Sequence, residues 1–437
     1  MIRHLCALGV VLLLAACGGG CGSSSSGSGG GGSTSTPPPP ALNNFTTVTV
    51  DDGPAVLNTG PNAYTDDDVA FVSVTICAPG STSNCQTVDH VQLDTGSVGL
   101  RIFRSVLSSS LLSALPDQMD ASSNPVGECY GYVDGYVFGS VRQADFQIGG
   151  ESVANMPFQV ISDTGAFANV PSSCSSGGGT NLNTVQAFGA NGIIGIGVTT
   201  TDCGSSCGSG GSAAATYYDC PSSGCGSITA RSSVTAAPFQ QLPNPVAAMG
   251  VDNNGTILNL PAAPAAGEAT MTGTLYFGIG TQTNNGLGSA KIITTTNSNS
   301  FNGSGLVTVN YNSQALNESF IDSGTSLYIF VDNSIAACSQ SALSGLYCPT
   351  SPVNLSPTFN GVNGAISGAF TLDSAQVLLT TSNAVIPGIG GNPNTFSNSM
   401  PFPNSFDFGL PFFFGRPVYT AIEGRTAGGV AGPYFAF

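Results

Sequence analysis

The chain has no tryptophan, only two histidines, and eight lysine or arginine residues in 437. Each shortage excludes something. The formal charge is −16, and there is no basic surface to neutralise phosphates, so a nucleic-acid partner is excluded. His4 lies in the leader, leaving His90 for the folded part. That rules out a histidine-rich metal site and leaves one histidine for a Ser-His-Asp triad, where we read His90 as structural. Charged residues total 7%, so a charge amid apolar neighbours is conspicuous. Beyond the first 17 residues, no apolar run is long enough to span a bilayer.

What is present points to strands. Apolar residues make up 41%, enough for a substantial core. Val, Ile, Thr, Phe and Tyr occur in short runs broken by Asn, Ser, Pro and the 59 glycines. A helical period is rare. The length allows two domains or one bilobal unit.

Residues 1–17 read as a lipoprotein-type signal peptide: Arg3, an apolar run over Leu5–Leu14, then Leu14-Ala15-Ala16-Cys17. The last four resemble a bacterial lipobox, in which Cys17 is lipidated and holds the protein on a membrane. Residues 18–43 are a Gly/Ser/Pro linker ending near Pro37–Pro40, flexible first and stiffer later. Two β lobes follow, 44–268 and 269–437, the first carrying a Cys-rich insertion at 199–232. Asp66-Asp67-Asp68 is read as an exposed acidic turn rather than a calcium site, because no other ligands are evident.

The chain is organised around Val91-Gln92-Leu93-Asp94-Thr95-Gly96-Ser97 and its echo, Phe320-Ile321-Asp322-Ser323-Gly324-Thr325-Ser326. In each, an apolar lead-in precedes Asp, a hydroxyl residue, Gly and another hydroxyl residue. A buried carboxylate needs hydrogen bonds, which the hydroxyls and glycine amides can supply. Two such acids brought together can share a proton, giving an acid and a base at one point. Each half then offers an apolar-apolar-Gly segment at similar distance, Ile193-Ile194-Gly195 and Phe413-Phe414-Gly415. A third Asp-Thr-Gly, Asp163-Thr164-Gly165, follows polar Ser162 and lacks the second hydroxyl; it is read as a surface turn.

This ordered series resembles the pepsin-like aspartic proteases over roughly residues 60–437. The resemblance implies an all-β, bilobal fold of two pseudo-symmetric lobes with a central cleft. It implies Asp94 and Asp322 as catalytic residues holding a water that attacks a peptide carbonyl, with no cofactor and no metal. Thr95, Gly96, Ser97, Ser323, Gly324 and Thr325 would support the dyad. Ser97 and Thr325 would bond the outer carboxylate oxygens, and the two glycines would admit amides to the inner ones. A flap tyrosine is implied as well: Tyr130, followed by Gly131, matches the local motif, while counting back from Gly149-Gly150 favours Tyr132. The match has departures. Arg101 stands where the family commonly has the tryptophan that supports this tyrosine, and Val98 and Gly99 replace small polar residues.

The implied activity is aspartic-type endopeptidase. The implied setting is an exported, lipid-anchored monomer at the bacterial cell envelope, acting on polypeptide substrate. The alternative is an inactive scaffold that binds peptides or a partner protein. With Cys6 in the signal, Cys17 lipidated and linker Cys21 set aside, ten of the 13 cysteines remain, which suggests five disulfides. Proximity favours Cys77–Cys85 and Cys338–Cys348, leaving Cys129 with Cys174. Cys203, Cys207, Cys220 and Cys225 in the insertion allow three pairings; their spacing only faintly resembles a zinc site.

Overall fold

The computed structural model describes residues 43–60, 63–120, 123–176, 179–207, 216–225, 241–298, 303–396 and 404–437. The signal peptide, Cys17, nearly all of the linker, and residues 208–215 and 226–232 of the insertion lie outside them. Among the described residues, no helix is long and apolar enough to cross a membrane. Strands dominate, as the composition implies, and the architecture is all-β and bilobal.

Each acid loop is built by the same four strand segments. In the first half, Cys85–Asp94 runs parallel to Gly192–Ile196, with Asp94 opposite Gly195. Val98–Phe103 returns antiparallel on the other side of Gly192–Ile196, then pairs in parallel with Glu151–Ile161. In the second half, Gln314–Ile321 runs parallel to Asp407–Phe408. Tyr328–Ile329 returns antiparallel to Asp407–Phe408, then pairs in parallel with Gly390–Gly391. The crossing strand thus sits between the strand entering the loop and the strand leaving it. Gly192–Ile196 and Val98–Phe103 are buried at every position, which explains their continuous apolar runs in place of alternation.

This register corrects one sequence expectation. The counterpart of Ile193-Ile194-Gly195 is Asp407-Phe408-Gly409, not Phe413-Phe414-Gly415. A Cβ on Gly195 would lie 2.5 Å from the Val98 nitrogen, and one on Gly409 would lie 2.4 Å from the Thr325 and Leu327 carbonyl oxygens. Both glycines are needed for the same close crossing. Phe413 instead ends the buried 3-10 turn Leu410–Phe413. The acidic Asp407 interrupts the apolar pattern that its counterpart Ile193-Ile194-Gly195 keeps.

A sheet across the molecule joins the halves. Phe45–Val50 pairs along its whole length with Met271–Phe277, which pairs with Gly255–Asn259 and through it with Pro417–Ala421. Asp68 adds a second tie: its amide donates to the Ala384 carbonyl at 2.7 Å, and its carboxylate accepts from the Ile386 amide at 2.7 Å. Asp66 and Asp68 are buried, so the expected exposed acidic turn is wrong for both. Without tryptophan, the second lobe fills its core with phenylalanine. Phe330 and Phe406 stack at 4.5 Å, and Phe406 and Phe408 at 4.4 Å.

Candidate active site

Asp94 closes its strand and Asp322 follows directly on its own. Both are fully buried, and their carboxyl groups hydrogen-bond each other. The loops are interlocked by backbone and hydroxyl. The Thr95 amide donates to Ser323 Oγ at 3.1 Å, and the Ser323 amide to Thr95 Oγ1 at 2.9 Å. Ser323 Oγ donates on to the Leu93 carbonyl at 2.9 Å, and Thr95 Oγ1 to the Ile321 carbonyl at 3.3 Å. A Cβ on Gly96 would lie 2.5 Å from Asp322 Cγ, and one on Gly324 would lie 2.6 Å from Asp94 Oδ1. Glycine at these two places lets each loop touch the opposite acid.

The acids are not equivalent. Asp94 Oδ1 accepts from the Gly96 amide at 2.7 Å and the Ser97 amide at 3.2 Å, while Oδ2 accepts from Ser97 Oγ. Asp322 Oδ1 accepts from the Gly324 amide at 2.7 Å, and Oδ2 lies 3.1 Å from Thr325 Oγ1. Burial raises the pKa of both. For Asp94, hydrogen bonds from Asp322, Ser97 and Gly96 pull it partly back. For Asp322, burial is joined by the charges of Asp94 and Asp407, and its pKa stands well above the carboxylate range. A carboxylate with three donors ionises ahead of one with two and more negative neighbours. Asp94 is therefore the more readily ionised of the two, and Asp322 the more readily protonated.

Val126–Gly131 and Gly135–Ile148 form a hairpin with Tyr130 opposite Val137. Tyr130 and Tyr132 are both buried, with ring centroids 5.1 Å apart, and both feel the charge of Asp94. Tyr130 stacks on the Arg101 guanidinium at 3.6 Å, whereas Tyr132 packs edge-on against Phe188. Arg101 is completely buried. It bonds Glu128 at 2.6 and 3.3 Å, Asp202 at 3.3 Å and the Val98 carbonyl at 2.9 Å. Burial opposes its charge, yet Glu128 and the tyrosines around it hold its pKa well above normal. Asp202 is pushed well up, first by burial and then by Glu128. The cation missing from most of the sequence is thus spent under the hairpin, where the resemblance implied an aromatic ring.

The Cys-rich insertion joins this support. Tyr217–Asp219 pairs antiparallel with Val126–Gly131, and the Tyr217 hydroxyl contacts both Asp202 oxygens at 2.8 and 2.9 Å. Cysteines pair as Cys77–Cys85, Cys129–Cys174, Cys203–Cys207, Cys220–Cys225 and Cys338–Cys348. Cys129–Cys174 braces the hairpin strand beside Tyr130.

Other sequence candidates fall elsewhere. His90 contacts Asp51 at 3.3 Å and Asp89 at 3.5 Å and packs edge-on against Phe71. Asp163 is not a surface turn. It is buried, accepting from Ser140 Oγ at 2.5 Å and from Arg142 at 2.8 and 3.0 Å, with Arg104 at 3.3 Å. The Asp-Thr-Gly turn chemistry is present, but its carboxylate serves an ion-pair hub. Sequence reasoning missed Glu128, Asp202, Tyr217 and Asp407. With so few charges in the chain, acids inside apolar runs such as Phe406-Asp407-Phe408 were the available signal.

No curated protein sequence matches the chain. Among solved structures, it is similar to an aspartic proteinase from Irpex lacteus, with 15% identity, a TM-score of 0.49, and coverage of 90% of this chain and 96% of that one. A family model matches residues 40–437, and on that match the chain belongs to the family described as "Protein of unknown function (DUF3443)".

Proposed function

We propose that the protein is an aspartic-type endopeptidase that hydrolyses peptide bonds with water activated by Asp94 and Asp322. One observation carries this reading: two buried carboxyl groups, one from each half, share a hydrogen bond and differ in the number of donors each receives. Ionised Asp94 takes a proton from a water as its oxygen attacks the peptide carbonyl. Protonated Asp322 donates to the carbonyl oxygen, giving a tetrahedral intermediate without a covalent enzyme bond. Aspartic proteases work through such a pair, in which two adjacent carboxyl groups share one proton because like charges that close cannot both ionise. Tyr130, Tyr132 and the hairpin close over an extended polypeptide. Lobes at 44–268 and 269–437, a signal peptide at 1–17, lipidation at Cys17 and display of a monomer at a bacterial envelope complete the reading.

The test is hydrolysis of an unfolded protein between about pH 3 and about pH 7 by wild type, Asp94→Asn and Asp322→Asn. Each variant should lose at least about 10²–10⁴-fold in kcat/KM while keeping its circular dichroism. Equal activity in all three excludes the dyad. The second reading, a peptide-binding scaffold without turnover, is favoured by the Arg101–Glu128 tie, which fastens the hairpin strand to the strand leaving the Asp94 loop. Saturable binding of a peptide-like transition-state mimic without turnover at any pH would select it.

A further inference from the structure

The register sets Asp407 where the first half has Ile193, each paired with the residue two before its acid, Phe320 or Gln92. A carboxyl has thus entered the strand that crosses behind the Asp322 loop. Asp407 is 4% exposed. Its Oδ2 lies 3.0 Å from Thr325 Oγ1, which also lies 3.1 Å from Asp322 Oδ2. Asp407 Oδ1 has no hydrogen-bond partner among the described residues.

Proton counting gives the consequence. A threonine hydroxyl carries one proton and accepts through its lone pairs. Set between two carboxyl oxygens, it donates to one; the other must bring its own proton to make a hydrogen bond. The Asp407–Thr325–Asp322 chain therefore holds a proton of its own. Asp407 is the natural holder, because it has one hydrogen-bonding partner and a buried unpaired oxygen, whereas Asp322 has the Gly324 amide as well.

We propose that Asp407 is a neutral carboxylic acid in the resting protein and, through the Thr325 hydroxyl, a positioning residue that sets the alkaline limit of the dyad. This rests on the reading of Asp94 and Asp322 as a catalytic pair. With Asp407 protonated, it donates to Thr325 Oγ1, and Thr325 donates to Asp322 Oδ2. When Asp407 releases its proton to solvent, the Thr325 proton turns to Asp407. Asp322 then loses a donor and gains a negative neighbour, so it holds the proton shared with Asp94 more tightly. Burial first, with the Asp94 charge adding to it, places the Asp407 titration at about 8. Asp94 and Asp322 are the ionisable groups acting on this site; the adjoining strands also carry half-buried Glu318 and fully buried Tyr328, and no cation.

The experiment compares wild type, Asp407→Asn, Asp407→Leu and Thr325→Val with two readouts. The first is kcat/KM against pH. Asp407→Asn keeps a donor for Thr325 but cannot ionise, so its alkaline limb should move down by about one pH unit or more. The second needs no peptidase activity: the infrared carbonyl band of a buried protonated carboxyl, taken as wild type minus variant. That band should be present at neutral pH, be lost as the pH passes about 8, and be missing from both Asp407 variants. If the Asp407 variants fail to fold, wild type minus Thr325→Val should show the band shifted, since Asp407 loses its acceptor. An inactive wild type with the band intact overturns the peptidase reading and the alkaline limit with it, and leaves the neutral Asp407 standing. A merely structural Asp407 would lower Tm without moving the limb. An unmoved alkaline limb, or no protonated band in the difference spectrum, overturns the proposal.

Discussion

The two lobes share one strand order around their acids and fill the row beneath those acids with opposite chemistry. Reading across the four paired segments, the first lobe presents Gln92, Ile193, Arg101 and Gln159. The second presents Phe320, Asp407, Ile329 and Gly391 at the same register. One row is polar with a single apolar residue; the other is apolar with a single acid. The difference follows from what each row faces. Arg101 and Gln159 reach the hairpin strand, Gln159 donating to the Glu128 carbonyl at 2.7 Å. In the second lobe Ile329 packs with Leu327, Leu346 and Ile389. Backbone pairing sets the position of the acids, and the row beneath sets what supports them.

The largest expected effect is at Arg101. Arg101→Met would strand Glu128 and Asp202 without their cation in a site closed to water. Breaking a buried ionic cluster costs about 3–5 kcal/mol, whereas Ile329→Val at the equivalent place should cost about 0.5–1.5 kcal/mol. Denaturant unfolding of both variants checks this. Equal losses would mean that the rows differ in sequence only.

Next are the loop glycines. Gly96→Ala and Gly324→Ala each drive a methyl group into the opposite carboxyl, at 2.5 and 2.6 Å. Displacing a reacting group by about 1 Å costs about 10²-fold, so kcat should fall by about that factor in both. Gly131→Ala is the control, because nothing lies within 4 Å of its Cβ position. A drop in only one of the loop variants would show that the halves do not contribute alike.

Stability against pH separates the lobes less sharply but has a definite sign. Asp322, Asp407, Asp68 and Asp202 all have folded pKa values above those of the unfolded chain, first through burial. Between the unfolded value of about 4 and the folded values, the native state binds more protons, so stability falls as pH rises. His90, also raised, loses its contribution as pH passes its folded pKa. Asp51 and Asp332 are lowered and act the other way, losing theirs as pH falls. Acids that lose stability with rising pH outnumber those two, so Tm should peak in mild acid and decline through neutral pH toward about 8, where Asp407 ionises. A Tm that rises from about pH 5 to about pH 8 would contradict the burial account.

The repeat of Asp-hydroxyl-Gly-hydroxyl after an apolar lead-in made both acids and their supports legible, because that local pattern meets a local need for donors. The all-β class was legible in the spacing of apolar runs. What was not legible depends on pairing between distant strands. Asp407 became part of the site only through its register with Phe320, and the Phe413-Phe414-Gly415 string nearby matched the sought pattern better. Arg101 was visible as a departure, but its partners Glu128 and Asp202 come from a hairpin and an insertion that the motif does not include. Asp163 and Asp68 were misjudged for the same reason. A short polar stretch looks exposed until the arginine, or the opposite lobe, that covers it is in place.

The smallest effect tests which acid is the base. Ser97 Oγ donates to Asp94, and that bond lowers the Asp94 pKa against burial. Ser97→Ala removes one of three donors, so Asp94 should protonate at higher pH and the acid limb of kcat/KM should move upward. A single lost hydrogen bond to a charged group is worth about 1.5–3 kcal/mol, an upper bound of about two pH units on that shift. Thr325→Ser keeps its hydroxyl between Asp322 and Asp407 and should leave both limbs in place. If Ser97→Ala moved the alkaline limb instead, the proton would belong on Asp94, and the donor count that separates the two acids would have the wrong sign.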